Sequence, residues 1–277
     1  MTRPGQERSI QGPGKSSEGV IDISNDNAKL IAVAGKGGTG KTTVAALLIR
    51  YLIEQRKKPI LAVDADPNAN LNEALGLEVP ETISDVLEEM KDNKAIPGGM
   101  NKFDFLEYRL SGVLAEGKDV DLLVMGTPEG AGCYCYPNDM LSRYLERLSK
   151  NYPFIIMDNE AGMEHLSRRV ARTVDALLVI SDSSARGIRS AGRVAELVKA
   201  LKLDVKEMHL VITKTNGDLR DLQEEIEKTG LSVVGAIPLD PQVVEFDLKG
   251  LPLYRLPGDS AAVRAVYEIA RKVKLVA

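Results

Sequence analysis

One stretch restricts the fold more than any other. Leu30-Ile31-Ala32-Val33-Ala34 is an apolar, β-type run, and it leads through Gly35-Lys36-Gly37-Gly38-Thr39-Gly40-Lys41-Thr42 into a helical pattern. Gly35 to Thr42 fits Gly-x-x-x-x-Gly-Lys-Ser/Thr, and the position between strand and helix is the context that gives this spacing meaning. The glycines let backbone N–H groups close on phosphate oxygens, and the start of the following helix adds its dipole. In such a loop Lys41 reaches the β- and γ-phosphates while the Thr42 hydroxyl ligates Mg²⁺. Gly35, Gly37 and Gly40 also satisfy the dinucleotide pattern Gly-x-Gly-x-x-Gly, with Asp64 ending the next strand where a ribose-binding acid would stand. Two lysines and two threonines crowd the loop, which suits a triphosphate and a metal ion better than a dinucleotide.

A strand–loop–helix unit of this kind calls for a parallel sheet, and the rest of the chain is patterned for one. Apolar runs at residues 30–34, 60–63, 121–125, 154–157, 176–180, 209–212 and 233–237 lack alternating polar residues, as strands buried on both faces do. Helical patterns fall between them, at 42–54, 138–150, 190–201 and 218–228 among others. This alternation predicts an α/β fold with a doubly wound, mostly parallel sheet and ligand sites at the carboxyl ends of strands. Residues 1–28 lack hydrophobic periodicity and read as a flexible N-terminal extension; residues 29–277 read as a single P-loop domain. The stretch 82–119 is the least regular and reads as a surface insertion.

Composition narrows the setting. No run approaches the roughly 18–20 apolar residues of a membrane span, and the polar start of the chain shows no secretory h-region. A net charge of −4 argues against general affinity for nucleic acid. The two cysteines, too close for a disulfide framework, suit a reducing cytoplasm.

Two acidic segments sit where a phosphate loop needs them, Asp64-Ala65-Asp66-Pro67 after the second strand and Asp158-Asn159-Glu160-Ala161-Gly162 after a later one. A carboxylate at a strand's carboxyl end can hold a magnesium-bound water, and one near the γ-phosphate can orient the attacking water. We assign Asp158 to magnesium and Asp66 to water positioning, with Asp64 able to help either. Gly162 is small enough for its N–H to approach the γ-phosphate. The plain alternative for each aspartate is a helix cap.

The cysteines stand as Gly132-Cys133-Tyr134-Cys135. One Cys-x-Cys makes half of a four-thiolate metal site, and a nucleotide-driven dimer would bring the other half by symmetry. Gly130, Gly132 and Pro137 mark a turn, and thiolates there suit Ni²⁺, Zn²⁺ or Cu(I). His165 follows the second acidic segment and is a candidate for linking it to the thiols; His209 opens a core strand and reads as structural.

Lys36 is an extra lysine that the phosphate loop itself does not require. With it the loop resembles the deviant Walker A of the ParA/MinD/nitrogenase-iron-protein class of ATPases, and Asp64-Ala65-Asp66-Pro67 and Asp158 to Gly162 resemble that class's two switches. Cys133-Tyr134-Cys135, together with Ala161-Gly162-Met163-Glu164-His165-Leu166-Ser167-Arg168, is similar to one branch. That branch is the CooC-type maturation ATPases of nickel carbon monoxide dehydrogenase, with the related accessory ATPase of acetyl-CoA synthase.

The resemblance implies a homodimer that hydrolyses ATP to ADP with Mg²⁺ and helps load nickel into one of those client enzymes. Lys36, Lys41, Asp66 and Asp158 would be catalytic, and Cys133 and Cys135 of both subunits would hold Ni²⁺ or Zn²⁺. Nucleotide contacts would come from Gly35 through Thr43 (Gly37, Gly38, Thr39, Gly40 and Thr42 included), from Gly162, and at the base from Lys214 and Pro238. Thr213 stands where the class carries an asparagine for the base, leaving Asn216 or the Ile237-Pro238-Leu239-Asp240 loop to take over. Asn159 replaces an expected hydrophobic residue. Two other readings compete: an iron–sulfur carrier or reductase, and a MinD/ParA-like positioning ATPase. The latter would use Arg186, Arg189 and Arg193 on DNA, or the amphipathic segment 261–276 on a membrane. An acidic chain speaks against DNA, and that segment reads more simply as the closing helix of the fold.

Overall fold

The computed structural model describes residues 28–66, 68–90, 96–127, 144, 146–148, 150–159 and 173–276. Seven strands form one sheet: β1 Lys29–Gly35, β2 Ile60–Ala65, β3 Val120–Val124, β4 Phe154–Asn159, β5 Val174–Asp182, β6 Val205–Thr215 and β7 Ser232–Pro238. Their order across the sheet is β3-β2-β4-β1-β5-β6-β7, and every neighbouring pair runs parallel. The chain leaves β1 toward β2 and β3, returns to insert β4, then continues on the other side of β1. The direction of winding therefore reverses beside β1, the place where open α/β sheets bind ligands.

β1 shows why the sheet must be covered on both faces. Ile31 and Val33 enter one apolar core with Val44, Leu47 and Leu48 of α1 (Lys41–Glu54) and Val263 and Val266 of the last helix. Ala32 and Ala34 alternate into the opposite core with Ile188 and Val194. Helices must therefore lie on both faces, which is what the crossovers between parallel strands deliver.

Residues 82–119 depart from expectation. Instead of a surface insertion they carry two helices, α3 Ile83–Glu89 and α4 Lys102–Leu110, after the short α2 Leu71–Leu75. Ile83, Val86, Leu87, Leu106, Leu110 and Val113 are all buried in the second core. Thr82 and Asp85 cap α3 reciprocally, and Arg109 of α4 bridges to Glu81 and Glu89 at 2.7 and 2.6 Å. Short helices separated by a break present too few turns for periodicity to register.

Elsewhere the differences lie at element ends. Helix α5, Ala185–Ala200, starts five residues before the expected 190, where the Ser184 hydroxyl accepts the Gly187 N–H at 3.0 Å. Arg186, Arg189 and Arg193 are exposed on it, and Arg189 pairs with Glu225 at 3.0 Å. The expected helix 218–228 is a 3-10 turn, Arg220–Leu222, followed by α6 Gln223–Thr229. After β7 come α7 Pro241–Leu248 and α8 Ala261–Lys272. The apolar stripe of α8 (Val263, Val266, Ile269 and Ala270) is buried, and its Tyr267 meets Tyr51 of α1 edge to face at 5.1 Å. That stripe is core, so it is not an interfacial face for a bilayer. Among the described residues no helix is long and apolar enough to cross a membrane.

Candidate nucleotide and magnesium site

The phosphate loop closes against the carboxyl ends of β5 and β6. A Cβ on Gly35 would lie 2.2 Å from the Ile180 carbonyl oxygen, so only glycine lets β1 turn into the loop beside β5. Gly40 sits at φ 90°, the left-handed region, and it starts α1 without any side-chain cap. No acidic residue occupies the first turn of α1 either. The helix therefore presents backbone N–H groups and the positive end of its dipole to the loop, the arrangement that takes a phosphate.

Two residues of β6 brace this loop from beneath. Thr213, buried, directs its hydroxyl to the Thr39 carbonyl at 2.6 Å and lies 3.1 Å from that of Ser181. Lys214 donates from Nζ to the Gly38 carbonyl at 2.8 Å, from a backbone held at φ 53°. Thr39 adds a bond within the loop, Oγ1 to the Lys36 carbonyl at 2.7 Å. The Thr213 hydroxyl, at the position where the resemblance leads one to expect a base-reading asparagine, is thus turned toward the loop backbone.

Behind the loop the acidic residues converge. Lys41 is buried, with Nζ 3.8 Å from Asp66 Oδ2. Thr42 Oγ1 lies 2.6 Å from Asp158 Oδ2 and 2.9 Å from Asn70 Oδ1. A hydroxyl has one proton and so donates to only one of these at a time, leaving its lone pairs for a cation. Burial pushes the Asp158 carboxyl up to about 7; the Thr42 hydrogen bond and Lys41 pull it down, and Asp64 and Asp66 push it further up. Asp158 Oδ1 is buried and has no hydrogen-bond partner among the described residues. A divalent cation beside Thr42 would satisfy that orphaned oxygen, directly or through water, so the residues present fit Mg²⁺.

Asp64 behaves differently from the expected helper of magnesium or water. It is fully buried, and its oxygens accept the Asp66 N–H at 3.1 Å, the Asn70 N–H at 3.0 Å and the Leu71 N–H at 2.9 Å. Burial raises its carboxyl above the ordinary value, against these three bonds. Asp64 therefore shapes the loop that carries Asp66 and Asn70, and a buried, engaged carboxylate is in no position to bind a ribose. Asn70 was not singled out from sequence; its only signal is its place six residues after Asp64 in the first switch.

A cavity of about 770 Å³ joins these groups, lined at one end by Gly37–Thr43, Asp66 and Asn70 and at the other by Thr213, Lys214, Pro238, Leu239, Asp240 and Asp247. Asp240 holds that second end together: it accepts Gln242 N–H at 2.9 Å, Ser260 Oγ–H at 2.6 Å and Ala262 N–H at 2.9 Å, fastening the starts of α7 and α8 to the end of β7. Lys36 is exposed on the loop. Asn159 is buried and donates to the Val33 and Met157 carbonyls at 3.2 Å each, so a polar residue is accommodated where an apolar one was expected. His209 lies inside β6, not at its start, between Ser232 Oγ at 3.2 Å and Glu207 Oε2 at 3.1 Å. Cys133, Cys135, Gly162 and His165 lie outside the described residues. Among those described, no group of three or more His, Cys, Asp or Glu is arranged to hold a metal.

Fold, loop and acidic pair define a P-loop nucleotide-binding protein. Residues 30–253 match the CobQ/CobB/MinD/ParA nucleotide binding domain, so the chain belongs to that family, and it is an ATPase of the MinD/ParA class. An uncharacterized ATP-binding protein of Methanocaldococcus jannaschii is 43% identical over 88% of this chain and 98% of its own. The carbon monoxide dehydrogenase accessory protein CooC of Rhodospirillum rubrum is 29% identical over 82% of this chain and 89% of its own. Among solved structures, a ParA family ATPase from Chlorobium tepidum superposes with a TM-score of 0.67 at 21% identity, covering 88% of this chain and 98% of that one. That last likeness concerns the fold.

Proposed function

We propose that this ATPase is a homodimeric metallochaperone that assists nickel insertion into carbon monoxide dehydrogenase or acetyl-CoA synthase. One observation carries the reading: the likeness to the accessory protein CooC runs through 241 residues, and this chain carries the Cys133-Tyr134-Cys135 motif that resembles that branch.

In the proposed cycle the uncapped start of α1 and the buried Lys41 gather the phosphates. Thr42 and Asp158 would hold Mg²⁺, which supplies charge neutralisation on the β- and γ-phosphate oxygens. Asp66 lies 3.8 Å from Lys41 and orients the attacking water once phosphate charge draws the lysine away from it. Lys36, exposed on the loop, reaches the phosphates of the partner subunit. Thr213 and Lys214 keep the loop backbone in register, and Pro238 borders the base. Nickel is cargo, held by Cys133 and Cys135 of both subunits while ATP keeps them together, and released when hydrolysis loosens the dimer. If ATP tightens metal binding, metal tightens ATP binding by the same factor.

Light scattering on a sizing column, combined with elemental analysis with and without ATP and Ni²⁺ or Zn²⁺, tests this. The expected result is about one metal ion per two chains, lost in Cys133→Ser/Cys135→Ser. Equal metal and equal mass in the double variant would overturn it. A dimer that closes on ATP without metal would indicate a plain switch ATPase of the positioning kind, and visible charge-transfer absorption after anaerobic purification an iron–sulfur carrier.

A further inference from the structure

We infer that Asp247 reads the base, and that its carboxylate admits guanine nucleotides to this site alongside adenine nucleotides. The inference rests on the nucleotide reading of the cavity. With phosphates on the loop and Asp66 at the hydrolytic end, the β7–α7 end is left for the base. Its walls there are apolar: Pro238, Leu239, Val243, Val244 and Leu251. Such walls accept any purine face and discriminate little, so identity must be read by a polar side chain.

Of the lining residues from β6, the β7–α7 turn and α7, four carry polar side chains: Thr213, Lys214, Asp240 and Asp247. Three are engaged by the protein. The Thr213 hydroxyl lies on the Thr39 carbonyl, the Lys214 ammonium on the Gly38 carbonyl, and both Asp240 oxygens hold the starts of α7 and α8. Asn216, the other residue considered for the base, is not among the cavity-lining residues, and its Oδ1 is 3.4 Å from the Asp218 N–H. Asp247, in the last turn of α7, accepts the Gly250 N–H on its backbone carbonyl at 3.2 Å, while its side-chain carboxylate accepts no hydrogen bond from a described residue. Partial burial raises its carboxyl above the ordinary value, and the charge of Lys214 pulls the other way. It stands exposed at the cavity wall with both oxygens available.

A carboxylate only accepts hydrogen bonds. Guanine offers N1–H and the N2 amine side by side, a donor pair that two carboxylate oxygens meet together. Adenine offers its N6 amine beside an acceptor nitrogen, which a carboxylate repels. An asparagine presents one donor and one acceptor, the complement of adenine. With threonine at 213 and a carboxylate at 247, the part of the pocket formed by β6, β7 and α7 carries no amide to favour adenine over guanine and does carry a group that favours the reverse.

The test is competition by GTP and ATP against a fluorescent N-methylanthraniloyl-ATP on the full chain with Mg²⁺, followed by separate hydrolysis assays. GTP is expected to displace the probe with a Kd within about tenfold of ATP's and to be hydrolysed. Asp247→Asn should shift the ATP:GTP affinity ratio toward ATP by roughly tenfold or more, the scale of one bidentate base contact. Asp247→Ala, which removes the reader without replacing it, should weaken GTP more than ATP. A GTP that fails to compete at about a hundredfold excess, or a ratio unmoved by Asp247→Asn, would overturn the assignment while probe binding leaves the nucleotide site intact. Absence of any probe binding to the unsubstituted chain would instead remove the nucleotide reading, and this assignment with it.

Discussion

Replacing Asp240 by asparagine changes one oxygen to an amide at a buried point where three donors converge. Oδ1 takes the Gln242 N–H, and Oδ2 takes the Ser260 hydroxyl and the Ala262 N–H. In either amide orientation one backbone N–H, of Gln242 or of Ala262, faces an NH₂ group. An orphaned buried donor costs about 1–3 kcal/mol, and the surviving bonds lose their charge assistance. The expected loss is ~2–3 kcal/mol, or roughly 4–12 °C in Tm for a domain of this size.

The sign with pH follows from the same contacts. Burial pushes the Asp240 carboxyl up, but the bonds from Ala262, Ser260 and Gln242 outweigh it and hold the pKa below the ordinary 3.8. Its stabilisation is complete at neutral pH and is lost as pH falls through that lowered value. Urea unfolding followed by circular dichroism at pH 7, repeated stepwise into acid, should show a wild-type advantage that shrinks toward the acid limb. A gap under about 0.5 kcal/mol at pH 7 with unchanged m would refute the reasoning. The same substitution loosens the Ile237-Pro238-Leu239 wall, so KM for ATP should rise while kcat changes little.

Two further outcomes follow from the loop. Asp66→Asn should lower kcat by roughly 10²–10⁴-fold, the usual range for a lost proton-handling group, with nucleotide affinity nearly kept; a kcat within threefold in steady-state assays would remove Asp66 from water positioning. Thr213→Val keeps the shape but takes the hydroxyl from the Thr39 and Ser181 carbonyls. It should cost about 1–2 kcal/mol in urea unfolding and weaken nucleotide binding by calorimetry, whereas full retention of both would show that the brace is idle.

The seven strands were readable because a buried parallel strand is a short unbroken apolar run, and each run expected from sequence lies within a strand or within one residue of its end. The phosphate loop was readable for a related reason: the spacing of Gly35, Gly40, Lys41 and Thr42 between a strand and a helix is recorded within eight residues of chain. The short helices of 82–119 were missed because α3 and α4 gain their stability from burial, not from their own periodicity. Asp64 was misjudged because an aspartate ending a strand looks the same in sequence whether it faces a ligand or three backbone N–H groups.

What the sequence by itself determined, then, is the alternating α/β pattern, the phosphate loop and which acidic segments could serve it. Only the tertiary structure decided how those parts are used. Thr42 meets Asp158 across 116 positions, Thr213 meets Thr39 across 174, and Asp240 meets Ala262 from the start of another helix. The first depends on β4 lying beside β1, the second on β5 and β6 following on its other side, and the third on the last helix returning to the end of β7. Strand order is set by how whole apolar faces are covered, so no local stretch of residues records it.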